Sequence, residues 1–359
     1  MPRILFTIDS LALGGTQRQL CLLLKYLDPE WESRLISLEN GPYLEVLHNQ
    51  GYKVDLFERR YKYDLTPAIK MWRLIWEYKP SIVHSWGGLS SIFIAPVPII
   101  SDIKLIDCIR NAVYPVRHGL RFQITNLIAD RVISNSEAGL KVHKIPSHKG
   151  RVIYNGIDPD RFESINHSKM PSDDPTTIVM AARMSSAKDY FTFIDAARNL
   201  SKNDKSGWRF IALGSGDLRR KLIKYAGDLI SDGIIEFPEV GLDIIPYLNI
   251  SDIGVLLTST NHQEGLSNSI MEYMACELPV ICSDSGGNRE IVKDNETGYI
   301  ITPGSLDDLI EKLLILKDNP LLARRMGRMG KKRVYSMCSI NQMVNNHIEE
   351  YQELLQPEH

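Results

Sequence analysis

Residues 258–287 read TSTNHQEGLSNSIMEYMACELPVICSDSGG. A polar loop carrying Glu264 comes first. Ser267 is a good N-cap residue type, and Ile270, Met271 and Met274 follow at helical spacing, so a helix is expected from Ser267. Pro279 stops it, and Pro279–Cys282 reads as a short buried strand before the Gly286-Gly287 turn. Glu272 lies inside the helix. The first backbone amides of such a helix, at 268–270, favour an anion. Taken alone, two glutamates would be surface charges. Set around a helix start, two carboxylates that can grip hydroxyls and amides that can grip phosphate describe a site for a nucleotide sugar.

The rest of the chain is arranged around strands. Arg3–Asp9 reads as a buried strand, Leu13-Gly14-Gly15-Thr16 as a turn and Gln17–Tyr26 as a helix, the first unit of a doubly wound sheet. The spacing G-x-G-x-x-G is absent, which argues against a dinucleotide. Strands at 34–38, 53–57, 81–85, 104–109, 131–134 and 151–153, with helices at 42–50 and 67–78, predict a parallel sheet covered on both faces. After Pro175 a second series begins, with strands at 177–181, 208–214, 234–237 and 252–257. Gly214 sits in a tight strand-to-helix turn, and Gly286-Gly287 and Gly298 are read as later turns. Helices are expected at 305–317, 320–333 and about 339–355. Arg183 and Lys188, in ARMSSAKD, stand between a strand end and a helix start, where a diphosphate would sit. Asp189 is expected to turn outward and cap the next helix.

EGLSNSIMEYMA followed by PVI resembles the signature of the family 4 retaining glycosyltransferases. ARMSSAKD is similar to that family's G-R-L-x-x-x-K-G, with Ala182 and Asp189 in place of its glycines. Gly14-Gly15 stands where the family has its own Gly-Gly. The resemblance covers nearly the whole chain and implies an α/β GT-B architecture, two Rossmann-like doubly wound domains facing across a cleft. It implies an acceptor-side domain over 1–158 and a nucleotide-sugar domain over 159–338, with the last helix packing back on the first. It assigns catalysis to Arg183, Lys188 and Glu264, and donor binding to Gly15, Gly214, Val240, Leu266, Ser267 and Glu272. His84 and Arg110 would face the cleft or the acceptor. Many members carry a His where this chain has Arg110, and an arginine there would recognise an anion.

The implied reaction is retaining transfer of a sugar, hexosyl in type, from a nucleoside-diphosphate sugar with UDP as the default. The acceptor would be a glycan or a lipid-linked sugar of cell-surface polysaccharide synthesis. No cofactor and no metal are expected: Asp158-Pro159-Asp160 has the spelling of a D-x-D motif but lies in the interdomain linker. A nucleotide-sugar epimerase of similar architecture and a non-catalytic nucleotide-sugar-binding partner are the alternatives.

Composition bounds these readings. A chain of 359 residues, 43% apolar and 24% charged, suits two soluble globular domains. A net charge of −2 gives no overall attraction to nucleic acid. Residues 1–158 hold 20 Lys and Arg against 15 Asp and Glu, leaving 22 against 29 for the remainder. This basic first half suits an anionic acceptor or a membrane surface, or is ordinary scatter of surface charge. Within it, Arg59, Arg60, Tyr61, Lys62, Tyr63, Lys70, Trp72, Arg73, Trp76 and Lys79 fit either a peripheral membrane patch or a sheet-covering helix with a solvated basic face. Cys21, Cys108, Cys276, Cys282 and Cys338 form no C-x-x-C pair and read as reduced core thiols. No signal peptide or spanning segment is read, so the expected location is the cytoplasm, with peripheral membrane contact the one exception.

Overall fold

The computed structural model describes residues 1–112, 125, 127–162, 175–202, 204–239 and 241–356. The chain divides into two units, Met1–Gly156 with Ile340–His359, and Ile157–Ser339. The division falls two residues before the expected Asp158/Pro159 boundary, and the C-terminal helix belongs to the first unit.

In the first unit seven parallel strands lie in the order β3-β2-β1-β4-β5-β6-β7. They are β1 (Arg3–Ile8), β2 (Glu32–Ser37), β3 (Val54–Leu56), β4 (Ile82–Ser85), β5 (Lys104–Ile109), β6 (Arg131–Ser134) and β7 (Gly150–Val152). β1 and β5 are buried on both faces after their first residue, which is why they read as apolar runs without alternation. The helix Thr66–Tyr78 covers the sheet with Pro67, Ala68, Met71, Leu74 and Ile75, and Lys79 ends it in the left-handed region (φ 50°). The returning helix, Ile340–Leu355, is tied to the sheet by Glu350, which pairs with Arg131 (2.8 Å) and Arg151 (2.9 Å). That return alters the charge balance. With Glu349, Glu350, Glu353 and Glu358 included, the unit holds 20 Lys and Arg against 18 Asp and Glu. The basic first half is therefore nearly neutral as a folded unit.

In the second unit six parallel strands lie in the order β10-β9-β8-β11-β12-β13. They are β8 (Thr176–Ala181), β9 (Trp208–Leu213), β10 (Ile235–Glu236), β11 (Ile253–Leu256), β12 (Val280–Ser283) and β13 (Gly298–Ile301). β13 corrects the expectation of a turn at Gly298. Gly298 pairs with Val280, and a Cβ there would lie 2.0 Å from the Val280 carbonyl oxygen. Glycine, ordinarily poor in strands, is what lets these two backbones meet.

Both sheets reverse their strand order once, between β1 and β4 and between β8 and β11. Ligands of such sheets bind outside the carboxyl ends of the strands at that reversal. No helix among the described residues is long and apolar enough to cross a membrane. All five cysteines are buried and free.

Candidate functional site

At the β8/β11 reversal, the segment after β8 is laced to the end of β11. The Asp189 amide donates to Leu257 O (3.0 Å) and the Ser259 amide to Ala187 O (3.0 Å). This brings Lys188 against Glu264, and their side chains form an ion pair. Thr258 Oγ1 donates to the same carboxylate (3.2 Å), and His262 Nε2 lies 3.7 Å from it. Glu264 is only 9% exposed. Burial pushes its carboxyl up, but the Lys188 charge and hydrogen bond outweigh that and hold it below the ordinary glutamate value. The loop carrying Glu264 is fixed from behind: its amide donates to Ser285 Oγ (3.1 Å), and the Gly287 amide donates to its carbonyl (2.9 Å).

Arg183, also after β8, is exposed, and its side chain makes no hydrogen bond or ion pair to any described residue. Two buried tyrosines hold the backbone beneath it. Tyr273 Oη accepts from the Ala181 amide (2.6 Å) and donates to Val255 O (3.3 Å). Tyr190 Oη accepts from the Ala182 amide (3.0 Å) and donates to Leu213 O (2.8 Å). Gly214 closes the turn after β9 at φ 142°, and a Cβ there would lie 2.0 Å from Ala182 O. Asp189 caps the helix Tyr190–Ser201, accepting from the Thr192 amide (3.1 Å), as its position predicted.

The helix expected from Ser267 spans Asn268–Ala275. Ser267 stands at its N-cap, but its hydroxyl accepts no capping bond. Anchoring falls instead to Ser269, whose hydroxyl donates to Ala181 O (2.6 Å). Leu266 is buried beside this start, and Glu272 is 5% exposed one turn further on. Arg161 pairs with Glu272, and its guanidinium also lies 3.7 Å from Asp243. Arg161 escaped the sequence reading because a lone cation after the linker has no spacing signal. Val240 lies outside the described residues. Asp158 Oδ1 accepts from the Asp160 amide (3.3 Å), so the D-x-D spelling serves a local turn.

At the β1/β4 reversal of the first unit, a pocket of about 220 Å³ is lined by Asp9, Thr16, Gln17, Trp86, Gly87 and Arg110, among others. Gly15 opens the helix Gly15–Tyr26 beside it; no side chain caps this helix and its first turn has no acid. The Asp9 carboxylate accepts from the amides of Leu89 (3.0 Å) and Ser90 (2.8 Å). Arg110 stacks on Trp86, with its Cζ 3.8 Å from the ring centroid, and its Nη1 donates to Asn155 Oδ1 (3.2 Å). His84 is not at this pocket, which corrects the expectation of a binding role. It is fully buried on β4, with Nδ1 2.8 Å from Tyr351 Oη and Nε2 3.1 Å from Cys108 Sγ. The returning helix covers that face of the sheet, and burial keeps the imidazole well below its ordinary pKa.

Comparison with known proteins agrees with this layout. Residues 13–161 match the Glycosyltransferase Family 4 model, and residues 162–333 match Glycosyl transferases group 1. The amylovoran biosynthesis glycosyltransferase AmsK of Erwinia amylovora is 31% identical over 180 residues, 48% of this chain and 42% of AmsK. An Escherichia coli α-1,3-galactosyltransferase, named for UDP-Gal and GlcNAc-diphosphoundecaprenol, is 23% identical over 86% of each chain. The alignments with the first curated relatives span about half of those proteins' length, 49% and 46% for two of them. HepE of Anabaena, crystallised with UDP, superposes with a TM-score of 0.83 at 18% identity, over 98% of this chain and 100% of that one.

Proposed function

We propose, on the footing that this chain belongs to glycosyltransferase family 4 and has the GT-B fold, that it transfers a sugar from a UDP-sugar to a glycan or lipid-linked acceptor with retention of configuration. The observation that carries the reading is the buried Lys188–Glu264 pair with exposed Arg183 beside it at the β8/β11 reversal. In this reading Arg183 and Lys188 receive the leaving diphosphate, Glu264 grips the donor sugar and Glu272, steadied by Arg161, grips the ribose.

The bond between the anomeric carbon and the diphosphate oxygen breaks as positive charge develops on the sugar ring. The acceptor oxygen then bonds to that carbon on the same face, and its proton passes to the departing phosphate. A double displacement would need a nucleophile beneath the sugar, and the described residues offer no clear one. Preorganised cations at the leaving oxygens serve where other phosphate chemistry uses a metal ion, and one such donor is worth about a hundred- to a thousandfold in rate. One relative named for UDP-Gal, and two named for sugars on diphosphoundecaprenol, support the choice of substrates.

A lipid-borne acceptor would bring the first unit to a membrane surface. The outer side of the Thr66–Tyr78 helix supports that: Leu65, Ile69, Trp72 and Trp76 are exposed at helical spacing, with Tyr61 and Tyr63 before them. Arg59, Arg60, Lys62 and Lys70 lie on the same stretch. Cosedimentation with anionic but not zwitterionic vesicles at low salt is expected; no pelleting with either removes the membrane from the proposal.

Thermal shift with UDP, GDP, ADP and NAD tests the donor site, since a ligand of the folded state raises Tm. UDP alone should stabilise, and UDP-sugars should then be hydrolysed slowly. Stabilisation by NAD or by none of the four would overturn the reading. Sugar isomerisation without an acceptor would favour the epimerase, and UDP binding without turnover the non-catalytic partner.

A further inference from the structure

Lys188 has two roles that conflict. In the transferase reading it receives the leaving diphosphate, yet in the fold its ammonium is paired with Glu264. A diphosphate that draws Lys188 away leaves a buried carboxylate without a counter-charge, which is costly. Thr258 remains hydrogen-bonded to that carboxylate (3.2 Å), but a hydroxyl is neutral. Besides Lys188, the described side chain within ion-pair distance that can carry positive charge is His262. Its Nε2 lies 3.7 Å from Glu264 Oε1, the same oxygen that Lys188 and Thr258 meet. Oε2 accepts a hydrogen bond from no described residue.

His262 is held there by its backbone. Its amide donates to Ser259 O (3.0 Å), and its carbonyl accepts from Ser285 Oγ (3.2 Å), the hydroxyl that also fixes the Glu264 amide. The ring is half-buried, and a shift of about 1 Å would bring Nε2 into a charge-assisted hydrogen bond with Oε1. Burial lowers the imidazole pKa, Glu264 raises it and Lys188 lowers it, with a net fall. The 283–287 turn behind the loop changes this little, since Ser285 is neutral and Asp284 is paired with Arg289. Withdrawing Lys188 therefore removes one of the two effects that keep the ring neutral and leaves the one that favours its charge. We infer that His262 is a positioning residue that relieves Lys188. As the diphosphate takes the ammonium, His262 binds a proton from solvent and holds Glu264 through Oε1, leaving Oε2 for a hydroxyl of the donor sugar. The inference rests on the transferase reading above and couples donor binding at that site to the uptake of a proton.

Isothermal calorimetry with UDP on the full chain at pH 7, in two buffers of different ionisation enthalpy, counts the protons that accompany binding. The terminal phosphate of UDP, with a second pKa of about 6, contributes alike in wild type and variants, so the difference between them reports the histidine. Wild type should take up about half a proton or more beyond His262→Gln. Glu264→Gln keeps the imidazole but removes the charge that draws its proton, and should match His262→Gln. Because wild type binds UDP with a proton, its Kd should weaken more than that of His262→Gln as pH rises above 7, by up to about tenfold per unit. A histidine that only supports the loop would change Tm or affinity without moving the proton count. Equal counts in wild type and His262→Gln overturn the inference, as does an extra uptake that persists in Glu264→Gln. If His262→Gln does not fold, the comparison of wild type with Glu264→Gln decides by itself. UDP binding without a difference in protons defeats only this inference, whereas absence of UDP binding to wild type defeats the transferase reading beneath it.

Discussion

The two strand-order reversals handle their cations in opposite ways. At β8/β11, half-buried Lys188 is neutralised within the unit by buried Glu264, while Arg183 beside it is exposed and solvated. At β1/β4, Arg110 is half-buried, stacked on Trp86 and hydrogen-bonded to Asn155, and no carboxylate of a described residue pairs with it. A buried pair can be stable before any ligand arrives, and an exposed arginine costs the fold little. A half-buried arginine over an indole ring keeps part of its hydration and gains a cation–π contact in place of a counter-charge. The second unit therefore neutralises a cation inside its fold, and the first leaves one to a ring, an amide and solvent.

The largest effect that sharpens this contrast is catalytic. Arg183→Ala and Lys188→Ala should each lower kcat/KM for transfer about a hundred- to a thousandfold, measured with the nucleotide sugar that passes the hydrolysis test. Near-normal turnover in either variant would remove the cation from the reaction. The two should part on stability. Lys188→Ala leaves Glu264 buried and unpaired and should cost about 3 kcal/mol in denaturant unfolding, whereas Arg183→Ala should melt with wild type. Adding Glu264→Ala to Lys188→Ala should cost less than the sum of the singles, because the two changes break one pair.

Acid should separate the units next. His84 and His347 are buried neutral, both with lowered values, so the unfolded chain takes protons there that the folded one does not. Their stabilisation is full above the unfolded value of about 6.5 and is lost as pH falls below it. Asp107, held up at about 6 by burial, gains a proton in the folded state over part of that range and offsets one of them. In the second unit, the stabilisation from Glu264 is complete above the unfolded glutamate value and is lost only as pH falls through its lowered folded value. Urea melts between pH 7 and 4, read by Trp31 and Trp86 in the first unit and Trp208 in the second through single-Trp variants, should show the first unit weakening earlier. Parallel weakening would break the contrast. The smallest effect is local: Asp189→Ala should lose one helix cap and about 1 kcal/mol, seen in the same melts, with little change at the first unit.

Much of this was legible in the sequence because it is local. Strand after strand appears where a short apolar run was read, and the helices at 268–275, 306–318 and 340–355 lie within a few residues of their expected bounds. Asp189 capped its helix because side chain and amide are three residues apart. Where local rules misled, a distant neighbour was responsible. Gly298 belongs to a strand because of Val280, and the helix start at Ser267 is tied to β8 through Ser269 rather than by a Ser267 side-chain cap. His84 is a core histidine because a helix some 260 residues later closes over it. The basic first half vanished for the same reason, since the returning helix brings its own glutamates.

The sequence by itself determined the two series of strands, the family and the identity of the charged groups, since hydrophobic period and motif spacing act over a few residues at a time. Only the tertiary structure decided which of those charges are paired. Lys188 and Glu264 are 76 residues apart, and Arg161 and Glu272 are 111 apart, so no spacing rule could join them. Arg110 is one more arginine in the sequence. Folded, it lies over the Trp86 ring and donates to Asn155, 45 residues away, so its partners too were beyond any spacing rule.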